Sequence, residues 1–488
     1  MTIRIAFLLV LISGIAFAES KPVIQDHNGD GCTLAIVRAS RTADGRMLIW
    51  KNRDVSNRNQ VVRLMQGSPY RFVGIGYGDD TTQVWGGVNT AGFGIANSNS
   101  WNSQSFQTPD DDGTIQTLAL GTCNTLAQFR TILNQTNSTP HTPQNGRNTP
   151  SCFLAFDSSG TMSVFEANRS TWTEFPLTAS DPNGFMTRAN YAYSRDTLHN
   201  PLGYYRNARA RRFYANTLAA GPLPLDTVFR VMRDVAPDGW TPDAFPLPYD
   251  GTFSSYPYAY ISMQGSICRY ITTSAMVIQG GKRLPNGTWL PPLVWFLLGE
   301  PVATIAVPAW PHQSHLSSLL TGSSAPICSE SGAIFGAIDS TNYCLDSRPL
   351  VNSHGGLLPY IYSQEALARA RVMPYLSQAL DSTLAASVSD SIATFAYTAL
   401  NTFAPPAQPV NITYSLDEGA FSWAPVTTDF RGRSLPNNIT VTYDIERATP
   451  THAPCSLQFS LVESVTTNRY VIKDPPLNFV YRIKAVTQ

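Results

Sequence analysis

The chain has 488 residues, and its 34 Lys and Arg balance 34 Asp and Glu, with only 14% of residues charged. Without a basic surplus, nucleic acid and anionic membrane surfaces are poor partners, and the length allows two or three domains with a large core. Plentiful Pro (35), Gly (33) and aromatic residues (11%) suit a loop-rich, β-rich protein.

The first residues read as an export signal. Arg4 supplies a positive start, Ile5 to Ala18 is nearly all apolar, and Ala16-Phe17-Ala18 fits the small-x-small cleavage rule. Residues 1–18 are therefore expected to be a signal peptide and the protein to be secreted or periplasmic. No later stretch approaches the ~20 apolar residues of a membrane helix, so the chain is not expected to be membrane-embedded. Residues 19–31 are polar, without apolar periodicity, and read as a short propeptide.

Cys32 to Val37 reads as a strand, and Met47 to Trp50 begins a second one after the turn Thr42-Ala43-Asp44-Gly45. Phe72 to Tyr77, Gln83 to Gly87 and Gly92 to Ala96 continue the β pattern. Cys152 to Phe156 and Met162 to Glu166 form a hairpin across Asp157-Ser158-Ser159-Gly160. Apolar residues recur at helical spacing over Thr117 to Asn134, Arg206 to Ala220 and, more loosely, Gln364 to Leu400. This order lacks a regular βαβ alternation and predicts an α+β domain over 32–402. A Pro-rich linker, 403–409, leads to a small all-β sandwich over 410–488 with short, regularly spaced strands. Trp423, Tyr443-Asp444-Ile445-Glu446-Arg447 and Tyr481-Arg482-Ile483-Lys484-Ala485-Val486 resemble a fibronectin type III domain, which implies partner or surface contact through the C-terminal domain.

Seven cysteines in an oxidising compartment suggest three disulfides and one free thiol, or fewer bridges. Cys32 is the expected free thiol, and Cys328 and Cys344 are close enough to pair across a loop. His312 and His315 form an isolated His-x-x-His without a nearby acidic or thiol ligand, too few groups for a zinc site.

Cleavage of Gly31-Cys32 would give Cys32 both a thiol nucleophile and a free α-amine as its base. The two titrate near ~8.5 and ~8, so proton exchange between them is nearly thermoneutral. Four segments carry a resemblance: Cys32-Thr33 with Lys51-Asn52-Arg53-Asp54; Gly87-Val88-Asn89-Thr90-Ala91-Gly92-Phe93; Phe185-Met186-Thr187-Arg188-Ala189-Asn190; and Arg211-Arg212-Phe213. In order and spacing, over residues 32 to 375, they resemble the choloylglycine hydrolase and penicillin acyltransferase group of N-terminal nucleophile hydrolases. The resemblance implies a four-layer α/β/β/α sandwich and hydrolysis of linear amides, or acyl transfer between amines. No cofactor or metal is expected, and the partner is a small-molecule amide or acyl-amine substrate.

Asp54, at the end of the strand paired with that of Cys32, is placed to hold the new ammonium, and a neighbouring cation would favour the thiolate. The family has Arg three residues before this Asp; here the position is Lys51, and Arg53 is the other choice. Asn89 and Asn190 are candidates to donate to an oxyanion, and Arg212 falls where the family carries a buried Arg near the Asp. No Gly-x-Ser-x-Gly elbow or His-Glu-x-x-His motif competes. The alternative is a non-catalytic cell-surface or adhesion protein that keeps the scaffold and binds through its C-terminal domain.

Overall fold

A computed structural model describes residues 31–103, 112–137, 147, 150–195, 203–235, 260–263, 265–340, 344–346, 350, 356–403, 411–415, 418, 420–429, 432–435, 440–448, 460–472 and 480–487. The signal peptide, almost all of the propeptide and the Pro-rich linker lie outside them.

The chain opens with strands β1 (Gly31–Val37), β2 (Leu48–Asp54), β3 (Gln60–Gln66), β4 (Arg71–Tyr77) and β5 (Gly86–Asn89). Then come β6 (Gly94–Asn99), β7 (Ser151–Phe156), β8 (Met162–Ala167), β9 (Trp172–Pro176) and β10 (Phe185–Arg188). One six-stranded sheet runs β10-β1-β2 and on through Thr272–Gln279, Leu293–Leu298 and Val307–Ala309; β3 to β9 form a seven-stranded sheet in sequence order. All the strand pairs in these two sheets are antiparallel.

Strands β1 and β2 are buried along their whole length, including the polar end of β2, Lys51 to Asp54. Leu34 and Ile36 from β1 share one core with Val73, Val88, Leu154 and Val164 from the seven-stranded sheet. The opposite side of that second sheet carries a separate core in which Phe93, Phe153 and Phe165 surround Phe129. Phe129 belongs to α2 (Leu126–Gln135), which follows α1 (Asp112–Thr122).

The single helix expected over Thr117 to Asn134 is thus two. Thr125 starts the second with a reciprocal capping box to Gln128, which satisfies donors that a continuous helix would leave no reason to cap. The long stretch after Gln364 also divides. After α3 (Tyr204–Ala220), α4 (Leu225–Met232) and α5 (Pro326–Ile338) come α6 (Leu357–Leu376) and α7 (Ser382–Thr402), the last capped by Asp381. Trp50 from β2 stacks on Tyr214 from α3, and Phe229 from α4 packs edge-on against Trp295, so helices cover the other side of the six-stranded sheet. A buried bidentate pair, Arg233 to Glu365 at 2.8 and 2.7 Å, ties the end of α4 to α6.

Near the C-terminus, Thr413–Ser415, Ala420–Ser422 and Arg469–Val471 form one antiparallel sheet, and Ser460–Val465, Val441–Ala448 and Val480–Thr487 another. Trp423, Tyr443, Ile445, Tyr470 and Ile483 make a core of their own.

The disulfide expectation is corrected. Cys32, Cys123, Cys152, Cys268 and Cys328 are all free, buried thiols. Cys328, on α5, points its sulfur at the Arg58 carbonyl, 3.2 Å away, rather than at another cysteine. Among the described residues no helix is long and apolar enough to cross a membrane, and no group of His, Cys, Asp and Glu is gathered to hold a metal. His312 and His315 go separate ways, to the Leu380 carbonyl at 3.0 Å and to Asp390 at 2.8 Å.

Candidate active site

Strand alternation sorts the polar residues at the start of β1 onto two faces. Thr33 and, from β2, Asn52 and Asp54 turn toward the helices: Thr33 bonds Arg206 on α3, and Asn52 donates to the Met232 and Ile267 carbonyls. Cys32, Lys51 and Arg53 turn the other way, toward the seven-stranded sheet.

On the helix side, polar groups gather around the Gly31–Cys32 peptide. The Cys32 amide donates to Asn190 Oδ1 at 3.2 Å, and its carbonyl accepts from Arg206 Nη1 at 2.9 Å. Arg206 also donates to Asn190 Oδ1 and lies 3.6 Å from the Asp54 carboxylate. Asp54 accepts the Thr272 hydroxyl at 2.7 Å and Arg269 Nη1 at 3.5 Å. Gly31 sits opposite Asp54 in the strand register. A Cβ on residue 31 would lie 2.9 Å from both Arg269 Nη1 and Asn190 Oδ1, and 3.4 Å from Asp54 Oδ2, so a side chain there would have to displace the ends of Arg269 and Asn190.

On the thiol side stand two buried cations. Lys51 Nζ donates to the Trp85 carbonyl at 3.0 Å and to Asn97 Oδ1 at 2.7 Å. Arg53 lies over the adjoining rings of Tyr77 and Trp85, 4.3 and 4.5 Å from their centroids, and donates to Gln60. Burial pushes the Cys32 thiol above its ordinary value; Lys51 opposes this most, Asp54 adds to the rise, and Arg53 pulls weakly down. Burial also raises the Asp54 carboxyl, while Arg269, Arg206 and the Thr272 hydroxyl hold it back.

The structure therefore brings Cys32, Lys51, Asp54 and Asn190 together and leaves two expected residues out. Asn89 is buried at the β5–β6 turn, where its Nδ2 donates to the Leu120 and Cys123 carbonyls at 2.8 and 2.7 Å. Its Oδ1 accepts from the Ala91 and Phe93 amides, so no hydrogen remains for an oxyanion. Arg212 is exposed on α3; the buried arginines beside Asp54 are Arg206, on the same helix, and Arg269. The periodicity of α3 carries that signal, because Arg206 shares a stripe with the buried Ala210, Phe213 and Tyr214. Asn190 meets Cys32 through its oxygen, and its Nδ2 faces Ser98 Oγ and the Asn99 carbonyl at 3.3 Å each. Arg269, Thr272 and Ser98 have no motif to mark them; strand pairing alone brings them in.

No family model and no curated protein matches the chain. Among solved structures, it is similar to a variant of the conjugated bile acid hydrolase from Clostridium perfringens, at 18% identity over 39% of this chain and 72% of that one, with a TM-score of 0.27. It is also similar to a Caenorhabditis elegans ortholog of N-acylethanolamine-hydrolyzing acid amidase, at 12% identity over 52% and 95%, TM-score 0.33. A third is penicillin V acylase from Agrobacterium tumefaciens, at 17% identity over 57% and 85%, TM-score 0.33.

Proposed function

We propose that the chain is an exported amidase or acyltransferase that works through a Cys32 thioester and is activated by cleavage of Gly31–Cys32. The observation that carries this reading is the convergence of Asn190, Arg206, Arg269 and Asp54 on the Gly31–Cys32 peptide.

Cleavage begins with attack of the Cys32 sulfur on the Gly31 carbonyl carbon. The C–N bond breaks, the thiol proton ends on the Cys32 nitrogen, and Gly31 is held as a thioester. Water then releases Gly31 as a carboxylate and restores the thiol. The freed α-amine keeps the place of the present amide nitrogen, against Asn190 Oδ1 and near Asp54. In turnover this amine takes the thiol proton, and Lys51 and Arg53 favour the thiolate. The thiolate attacks a linear amide, the leaving amine departs with the proton, and water or a second amine takes the acyl group.

In this reading the two facing sheets and their flanking helices form a four-layer α/β/β/α sandwich, which the cores on both sides of the seven-stranded sheet support. The domain boundary falls at 403–409. The C-terminal sheets form a fibronectin type III-like unit for surface contact, supported by their separate aromatic core. Intact mass and N-terminal sequencing of wild type beside Cys32→Ala test the proposal. A wild type starting at Cys32 and a variant retaining Gly31 support it. Both chains retaining Gly31 overturn it and favour the non-catalytic scaffold.

A further inference from the structure

A cavity opens at the other end of β2, away from Cys32. Val37 pairs with Leu48 where Cys32 pairs with Arg53, and Arg46 precedes β2. Arg46 is therefore about 23 Å along the strand direction from Arg53. The cavity there holds about 430 Å³, within the range of small-molecule sites. Trp295, Leu290, Leu225, Met373 and Leu376 give it an apolar wall.

Its charged residues divide into those that build it and those left to meet a ligand. Arg46 donates to the carbonyls of Gly280, Pro291 and Leu376 at 3.0, 2.9 and 3.1 Å, bracing three segments of the wall. Asp44 accepts from the Arg46 amide and from Gln279, which in turn accepts from the Trp295 indole at 2.8 Å. Two cations remain. Lys282 Nζ reaches only the Asp44 carbonyl oxygen among its hydrogen bonds, at 2.7 Å. Arg369 stands 3.9 Å from Asp226, beyond hydrogen-bond length, and its Nε is buried with no hydrogen-bond partner among the described residues. Two cations over an apolar wall, against one loosely paired carboxylate, complement a molecule with one negative charge and an apolar body.

We infer that this cavity is a binding site for an amphipathic monocarboxylate, such as a medium-chain acyl acid. The carboxylate lies toward Arg369 and Lys282, and the apolar body lies along Leu225, Met373 and Leu376. The site is separate from Cys32 and does not depend on the amidase reading.

Calorimetric titration of the full chain with octanoate, octanol and octylamine tests this. Octanoate is expected to bind at least about tenfold more tightly than either neutral or cationic analogue. Cys32→Ala is expected to bind it unchanged. The pair Lys282→Glu with Arg369→Glu should weaken octanoate at least about tenfold, whereas Lys282→Arg with Arg369→Lys keeps it. Met373→Trp, at an exposed position, should block the cavity without disturbing the core. No octanoate binding at millimolar concentration, equal binding of octylamine, or loss of binding in Cys32→Ala overturns the inference.

Discussion

Arg53 faces Cys32 directly across the β1–β2 pair, with its guanidinium lying over the adjoining rings of Tyr77 and Trp85. The next residue, Asp54, lies on the opposite face with Arg206 and Arg269. One strand thus supplies cations to the thiol side of Cys32 and a carboxylate to its backbone side. The separation matters chemically. A carboxylate beside the sulfur would oppose the thiolate, whereas beside the nitrogen it favours an ammonium.

The cations can be weighed by alkylation of Cys32. Burial already raises this thiol, and Lys51 lowers it more than Arg53 does. Removing either charge leaves the thiolate less favoured. Lys51→Met and Arg53→Met should each move the pH midpoint of iodoacetamide labelling upward, Lys51→Met further. Labelling at pH 8 should slow about three- to tenfold. Peptide mass mapping reads Cys32 separately from the other thiols, and an unchanged midpoint would mean that the cations do not act on the sulfur.

Arg206 and Arg212 lie on one helix, yet their substitutions should differ sharply. Arg206→Leu leaves the Cys32 carbonyl, Asn190 and Asp54 without a shared donor in a buried site. Losing one member of such a buried network costs about 3–5 kcal/mol. Arg212→Leu, at an exposed position, should stay within about 0.5 kcal/mol of wild type. Urea unfolding of both variants decides this, and similar losses would contradict the placement of Arg206.

Asn89 offers a test between architecture and chemistry. Its side chain makes four hydrogen bonds to backbone groups at the β5–β6 turn and the end of α1. Asn89→Ala should therefore lower stability by about 2–4 kcal/mol, since buried carbonyls and amides lose their partners. Turnover per folded molecule should change little. A loss of kcat of about a hundredfold with intact stability would instead restore the oxyanion role.

Much of the start of the six-stranded sheet is legible because the apolar residues Leu34 to Val37 and Leu48 to Trp50 flank the turn Thr42-Ala43-Asp44-Gly45. The residues that lock the site are less so. Arg269 and Thr272 reach Asp54 only because Thr272–Gln279 pairs with β2, more than two hundred positions away in sequence. Local periodicity carries no information about such a pairing. The breaks between α1 and α2 and between α6 and α7 have local signals in Thr125 and Asp381, but apolar spacing on both sides masks them. Asn89 shows the converse: a motif-like position filled for its turn geometry.

The free thiols make alkaline stability a further measurement. Burial pushes Cys152 up to about 12, and the neighbouring Glu166 carboxylate adds to the rise. In the unfolded chain the same thiol titrates near ~8.5. Its contribution is therefore fully present below about pH 8.5 and is lost as pH rises toward 12, because the unfolded chain gives up the proton first. Over that window one such thiol adds a slope of about −1.4 kcal/mol per pH unit to the unfolding free energy. Cys152→Ala should be less stable at pH 7 through its lost packing, yet its stability should fall less steeply from pH 9 to pH 11, by about that slope. Urea titrations at several pH values give both numbers. Parallel slopes for wild type and variant would show that Cys152 ionises normally in the folded chain.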